Sequence, residues 1–450
     1  MESNTPVARR TTTSNTGPSH LIVPKDGNDK HLLGRLESTI SSTTGTVNVS
    51  SWSEDGQVKW YYGTLTESQA TKLEKDADVD YVVENGALIA SRAVRTDLPT
   101  NHTGWRDDLG VSKSHLSKRL QLYASQPSAE IPLTPADELI VQSTPEGEYW
   151  GCRDTYNYAA EAGSNIYIFH IEFGILSGFD WVRQGTSNID MKLEDYRTFS
   201  GVRPPDSHST CVADKAMGRI FGAAKKSILV PVLLGFDGEA QLSEALKEVL
   251  DKITADKNSP ISVLYGHSLI VMSMGIEADV NPEKAPWPSM HSYMDQLFDL
   301  GVPIVFAAGN IREEEQDRPD QGHQITAYPQ FWSTDEFPLI NVGNSNFEGR
   351  IADDSKRGEK VAVFAPGEGI SCVGYDNEYT APGGTSFAAP LVGGGIAVFM
   401  SQKEGPFYEA THDKVGTREF PKAVLQFVKN RASYMHSGGT KMFWNMALGN

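Results

Sequence analysis

The chain has 450 residues, with 40 Lys and Arg against 58 Asp and Glu for a formal charge of -18, and a hydrophobic fraction of 39%. That length can bury a full core, and at ~150 residues per domain it suggests about three domains. The charge speaks against a nucleic-acid binder, because phosphate backbones call for clustered Lys and Arg, and against attachment to an anionic membrane surface. Ordinary Gly and Pro counts, 41 and 24, remove the collagen-like and low-complexity classes. No stretch approaches the ~18 apolar residues that a spanning helix needs.

Residues 1–19 are rich in Ser, Thr, Asn and Pro and read as disordered. Arg9 and Arg10 have no apolar run after them, so this start does not read as a secretory signal. An intracellular protein, unconventional export and a missing true start all fit that observation. From Leu21 the texture changes. LIVPKD is a short strand. HLLGRLESTISS places Leu32, Leu33, Leu36 and Ile40 at helical spacing. VNVSSW and VKWYYGTL alternate like strands around an Asp-Gly turn. Thr66 to Gln69 reads as a capping box opening a helix, and DYVVENGAL closes as a strand. The order β-α-β-β-α-β is a ferredoxin-like plan, expected as a small α+β domain over residues 20–90.

Residues 91–134 read as a linker with one helix near SKSHLSKRLQLY. Asn48 and Asn101 begin glycosylation-type tripeptides, which are common by chance. From about 135 to 436 the pattern alternates between strands and helices. NIYIFHI, SILVPVLL, HSLIVMSM, PIVFAAGN and PLINVGNS are apolar runs of the kind that form buried parallel strands. LSEALKEVLDKI sets Leu242, Ala245, Leu246, Val249, Leu250 and Ile253 on one helical face. The expectation is an α/β domain, a mostly parallel sheet with helices on both faces and its site at the carboxyl ends of strands. Residues 437–450 read as a C-terminal tail.

The three cysteines, Cys152, Cys211 and Cys372, are too far apart for a zinc site built on close pairs. Three buried free thiols is the plain reading, and one disulfide with one free thiol is the alternative.

Four motifs carry possible chemistry. In APGGTSFAAPLVGGGIAVFMS, Ser386 opens a long apolar helix, where unpaired N–H groups and the helix dipole favour a developing oxyanion. Ser also simply caps helices, and this motif alone leaves both readings open. In PIVFAAGN, Asn310 stands at a strand's carboxyl end as an oxyanion donor or an ordinary turn residue. His208 stands at the start of a helical segment, as a general base or polar filler. Glu172 follows a buried strand, as the acid that orients a histidine or a solvated strand end.

Taken together, these motifs resemble the subtilisin-like serine protease (subtilase) family, and the chain resembles most the members from filamentous fungi. The order acid, histidine, Asn, serine is that family's, and GTSFAAP matches its serine motif nearly letter for letter. HSTCVA, AAGN and FAPGEGI resemble its histidine, oxyanion and pre-serine motifs. The resemblance implies a serine endopeptidase with Glu172, His208 and Ser386 as its triad and Asn310 in the oxyanion hole. It also implies that Ser273, Met274, Gly275, Ala308 and Gly309 line the substrate cleft. Residues 20–90 then resemble an inhibitory propeptide, with a maturation cut expected between about 86 and 134. The implied partners are peptide or protein substrates and the chain's own propeptide, with no nucleic acid, no membrane and a monomeric state. Secreted or vacuolar location follows from resemblance alone. No cofactor enters the chemistry; structural calcium is common in the family, but no acidic loop is specific enough to name ligands.

Two positions depart from the family pattern. Its usual acid is Asp, in Asp-x-Gly; here Glu172-Phe173-Gly174 stands, one methylene longer, with His170 as a rival for the position. Ser209 follows His208 where the family has Gly. Cys211 is expected to face the core as an inert thiol. These departures motivate an alternative, a catalytically impaired pseudoenzyme that binds peptides or a protease. A serine-carboxyl peptidase relative is a third option, disfavoured because that group would use Asp where Asn310 stands.

Overall fold

The computed structural model describes residues 20–45, 49–54, 56–84, 88–90, 156, 158–173, 197–198, 207–218, 221–234, 239–276, 287–312, 315, 323–346, 349–370, 372–373, 379–380, 383–436 and 439–446. They fall into two compact units, residues 1–85 with 236–238 and residues 86–235 with 239–450. The linker helix expected near 113–123, Cys152 and Gly174 lie outside the described residues.

The smaller unit runs β1 (His20–Pro24), α1 (Lys30–Thr44), β2 (Ser50–Glu54), β3 (Gln57–Gly63), α2 (Glu67–Glu74) and β4 (Val79–Glu84). Its antiparallel sheet has the order β2-β3-β1-β4, the ferredoxin-like arrangement. Asp29 starts α1 by accepting from the backbone N–H groups of His31 and Leu32. Thr66 and Gln69 cap α2 reciprocally, the box read from the sequence. Leu36 and Ile40 of α1 pack with Ile22, Tyr61, Leu73 and Val82 in one core. The run DYVVENGAL does not form one strand. It ends as β4 at Glu84 and resumes as β5 (Leu88–Ala90), which belongs to a different sheet.

The larger unit continues with β6 (Tyr167–Glu172), β7 (Arg197–Thr198), α3 (Ser207–Met217), β8 (Ile228–Leu233), α4 (Glu239–Lys257), β9 (Ser268–Met272), β10 (Met274–Ile276), α5 (Trp287–Asp299), β11 (Ile304–Ala307), β12 (Leu339–Ser345) and β13 (Val363–Pro366). It closes with β14 (Cys372–Val373), β15 (Tyr379–Thr380), α6 (Thr385–Ser401), α7 (Pro406–Thr411), α8 (Glu419–Asn430), β16 (Ser433–Met435) and β17 (Lys441–Phe443). Among the described residues, nine strands form one sheet in the order β16-β17-β13-β12-β11-β9-β6-β8-β7. All its pairs are parallel except β16 with β17. The apolar runs in the sequence are its centre: every residue of β6, β9, β11 and β12 is buried, as strands covered on both faces must be. The apolar stripe of α4, from Leu242 to Ile253, is buried as its spacing predicts. Residues 441–443 lie in the stretch read as a tail, yet they form a sheet strand with Met442 and Phe443 fully buried. Three residues are too few to show a period in sequence.

The central helix α6 packs on β9, β11, β12 and β13 and against α3. Glycines allow this closeness. A Cβ on Gly393 would meet Val271 Cγ2 at 2.6 Å, and one on Gly394 would run into the Ala216 carbonyl oxygen.

Candidate active site

Three neighbouring strands, β6, β9 and β11, end side by side, and the candidate residues sit on those ends. Glu172 ends β6, Ser273 follows β9, and Ala308, Gly309 and Asn310 follow β11. This is where a parallel sheet places its ligands. His208 comes from the first turn of α3 and Ser386 from the first turn of α6. Because α3 and α6 pack together, their amino ends are neighbours. The His208 ring meets the Phe387 ring edge-on, with centroids 5.4 Å apart.

Glu172 Oε2 faces His208 Nδ1 at 3.7 Å. This exceeds a hydrogen-bond length. Glu172 is fully buried and His208 nearly so. Burial alone would raise the Glu172 carboxyl, but attraction to His208, with help from His170 and the Ser209 hydroxyl, outweighs it and holds the pKa below the ordinary carboxylate value. Ser209 Oγ donates to Glu172 Oε2 at 3.2 Å, so the two positions that depart from the family pattern touch each other. The other carboxylate oxygen, Oε1, is buried without a hydrogen-bond partner among the described residues. His170, the rival to Glu172, is placed differently. Its Nε2 donates to the Ser209 carbonyl at 3.0 Å, which supports the start of α3. Burial is the main cause that lowers its pKa and favours the neutral ring.

Ser386 is held by an exchange with Ser273. Ser386 Oγ donates to the Ser273 carbonyl at 3.3 Å, and Ser273 Oγ donates to the Ser386 carbonyl at 2.8 Å. The second bond has a cause in the sequence. Pro390 has no N–H for the carbonyl four residues earlier, so the Ser386 carbonyl lacks its helical partner and Ser273 supplies one. Gly384 precedes the helix at φ 134°, a conformation suited to glycine, and its N–H donates to the Gly367 carbonyl at 2.8 Å. The FAPGEGI loop thus abuts the serine turn.

Asn310 is oriented by Thr385, a residue that sequence reasoning left without a role although it adjoins Ser386. Asn310 Oδ1 accepts from Thr385 N at 3.1 Å and from Thr385 Oγ1 at 3.0 Å. The amide's donating Nδ2 end therefore points away from Thr385. Gly309 N donates to Thr385 Oγ1 at 3.2 Å, and Ala308 N donates to the Val342 carbonyl at 2.9 Å. Met274 and Gly275 lie in β10, which pairs antiparallel with β5: Met274 with Ala90, Gly275 with Ile89, Ile276 with Leu88.

One expectation is corrected. Cys211 is not a free thiol but is joined to Cys372 in a disulfide, with Cα atoms 5.3 Å apart. The bridge packs with Val212, Ile370 and Phe387. A separation of 161 positions gives no sequence signal for such a pairing, since spacing cannot fix connectivity. Among the described residues no group of three or more His, Cys, Asp or Glu is arranged to hold a metal ion. Among them, too, no helix is long and apolar enough to cross a membrane.

Comparison with known proteins gives matches across the larger unit. A model described as the subtilase family matches residues 108–433. The cuticle-degrading serine protease of Arthrobotrys oligospora is 27% identical over 269 residues, covering 57% of this chain and 57% of that protein. Subtilisin-like protease 3 of Saccharomyces cerevisiae is 28% identical over 227 residues, covering 49% of this chain and 43% of its own. The chain thus spans about half the length of these curated relatives. Among solved structures, a mutant of the epidermin leader peptide processing serine protease from Staphylococcus aureus aligns with a TM-score of 0.60 at 12% identity, over 96% of this chain and 98% of that one. That likeness concerns the fold.

Proposed function

The chain belongs to the subtilase family of serine proteases, and from that premise we propose that it is a serine endopeptidase, made as a proenzyme, that cuts peptide bonds through an acyl-enzyme. In this reading Ser386 Oγ attacks the peptide carbonyl while His208 takes its proton. Asn310 Nδ2 and the Ser386 backbone N–H stabilise the oxyanion. His208 then returns the proton to the leaving amine, and water attacks the acyl-Ser386 ester by the same route. Glu172 orients His208 and stabilises its cation. The observation that carries the proposal is the Thr385–Asn310 clamp, in which the residue before Ser386 holds the Asn310 side chain by its Oδ1 end. Strand β5 supports the proenzyme part, because it runs along β10 as a substrate peptide would.

A second reading, an impaired relative that binds peptides without cutting them, draws on the 3.7 Å Glu172–His208 separation and the unpartnered Glu172 Oε1. One experiment separates the two. A fluorophosphonate probe is expected to label the protein, with and without residues 1–134 in parallel samples. Labelling should vanish in Ser386→Ala and slow by about 10³-fold or more in His208→Ala. A chain that stays unlabelled after removal of residues 1–134 favours the impaired reading.

A further inference from the structure

Between the two cleft segments sits a side chain that the reaction steps leave unused. Gln330 begins the short turn Gln330–Trp332 and is 1% exposed. Its Nε2 donates to the Met274 carbonyl and to the Ala307 carbonyl, each at 2.9 Å. Met274 belongs to β10 and Ala307 ends β11, so one amide ties together the two segments expected to flank a bound peptide. Carbonyls only accept, so these bonds identify which end of the amide is nitrogen. The remaining end, Oε1, is buried and has no hydrogen-bond partner among the described residues. It lies against Gly275, where an added Cβ would meet Nε2 at 2.8 Å and Oε1 at 3.0 Å.

This placement is rigid. Asn341 Nδ2 donates to the Gln330 carbonyl at 2.9 Å. Tyr328 exchanges both backbone hydrogen bonds with Ile276 at 2.8 Å, and its ring packs on Trp287 and Trp332. A buried acceptor left without a donor opposes folding, and such groups are rare in native interiors. A donor brought by substrate would relieve it.

Resting on the peptidase reading above, we infer that Gln330 floors the pocket for the substrate side chain beside the bond that Ser386 attacks, and that its Oε1 selects a side chain with a neutral N–H or O–H donor. A peptide paired along β10 approaches the nucleophile at Ser273, whose carbonyl accepts from Ser386 Oγ. The side chain held between Met274–Gly275 and Ala308–Gly309 therefore belongs to a residue next to that bond. Oε1 is a neutral amide acceptor and carries no charge to offset a cation's lost hydration, so it matches a neutral donor better.

The test uses matched peptides that differ only at the residue before the cut: Thr against Val, Asn against Leu, Gln against Met. Protein whose Ser386 reacts with the fluorophosphonate probe is expected to cleave each donor-bearing member about tenfold better or more by kcat/KM, because a polar pocket rejects the analogue that lacks the group. In Gln330→Met and Gln330→Ala that ratio should fall to unity or reverse. Equal or better cleavage of the apolar members by the unsubstituted protein overturns the inference, and so does a donor preference that survives either substitution. The ratio is taken within each protein, so an overall loss of rate does not blur it. If neither variant folds, the ratios of the unsubstituted protein decide alone. Absence of labelling at Ser386 would count against the peptidase reading itself, whereas labelling without donor preference counts against the role of Gln330 only.

Discussion

Glu172 and Ser209 are two departures that the sequence presents as separate and the structure joins. The longer carboxylate reaches a hydroxyl that a glycine could not offer, Ser209 Oγ at 3.2 Å, while the same Oε2 faces His208 Nδ1 at 3.7 Å. A buried carboxylate that loses a donor pays part of its desolvation again, so each residue compensates for the other. Ser209→Gly alone should lower kcat/KM about 3- to 10-fold, the worth of one ordinary hydrogen bond, since the 3.2 Å contact is a long one. Glu172→Asp alone should lower it further, because the shorter arm retreats from both partners. The double variant should be better than the product of the two losses by at least about 1 kcal/mol of coupling, as for residues in direct contact. Steady-state kinetics on the four proteins measure this. Effects that simply multiply would show that the two positions act independently. Glu172, His208, Asn310 and Ser386 were picked out in sequence by the joint resemblance of four short motifs to one family pattern, each motif alone being ambiguous. Thr385 and Gln330 were not. The role of each depends on partners far along the chain, Asn310 for one and Met274 with Ala307 for the other, and no local period marks such contacts.

At the level of elements, the site depends on how α3 and α6 are held together at their amino ends. The glycines of α6 permit the approach, and the Cys211–Cys372 disulfide adds a covalent tie from α3 to β14. The bridge packs with Phe387, the residue after Ser386, whose ring meets His208. Cys211→Ala with Cys372→Ala, or reduction of the bridge, should therefore cost about 2–5 kcal/mol of stability, since closing a long loop restricts the unfolded chain. Denaturant unfolding with and without reductant measures the loss. Alkylation of the unfolded, unreduced chain followed by mass spectrometry should find no more than one thiol. Three alkylated cysteines would remove the bridge from the account. The elements themselves were largely readable. Long apolar runs gave the central strands, and the stripe of α4 gave its buried face. The shortest strands escaped for a physical reason: β7, β14, β15, β16 and β17 have two or three residues each and are defined by their partners rather than by their own pattern.

At the scale of the whole molecule, the small unit and the larger one are joined in sequence through β5, and under the proenzyme proposal its register bears on where a maturation cut would fall. From Leu88 to Ala90 the strand runs from Ile276 toward Met274, and hence toward Ser273. The Ser273 carbonyl accepts from Ser386 Oγ at 3.3 Å, so the direction of pairing leads to the proposed nucleophile. Sequence alone left the cut anywhere between about 86 and 134. On the proenzyme proposal, the register would place it at the peptide bonds directly after Ala90. The purified mature protein should therefore begin at Ser91, Arg92 or Ala93 by N-terminal sequencing. The Ser386→Ala chain, made in the same host, should keep its upstream residues. A mature terminus well beyond residue 100, with nothing released at an earlier bond, would show that β5 is a docking strand and not the leaving end of a cleaved peptide. Processing of Ser386→Ala at the same bond would assign the cut to another protease, leaving the pairing of β5 with β10 as a resting contact.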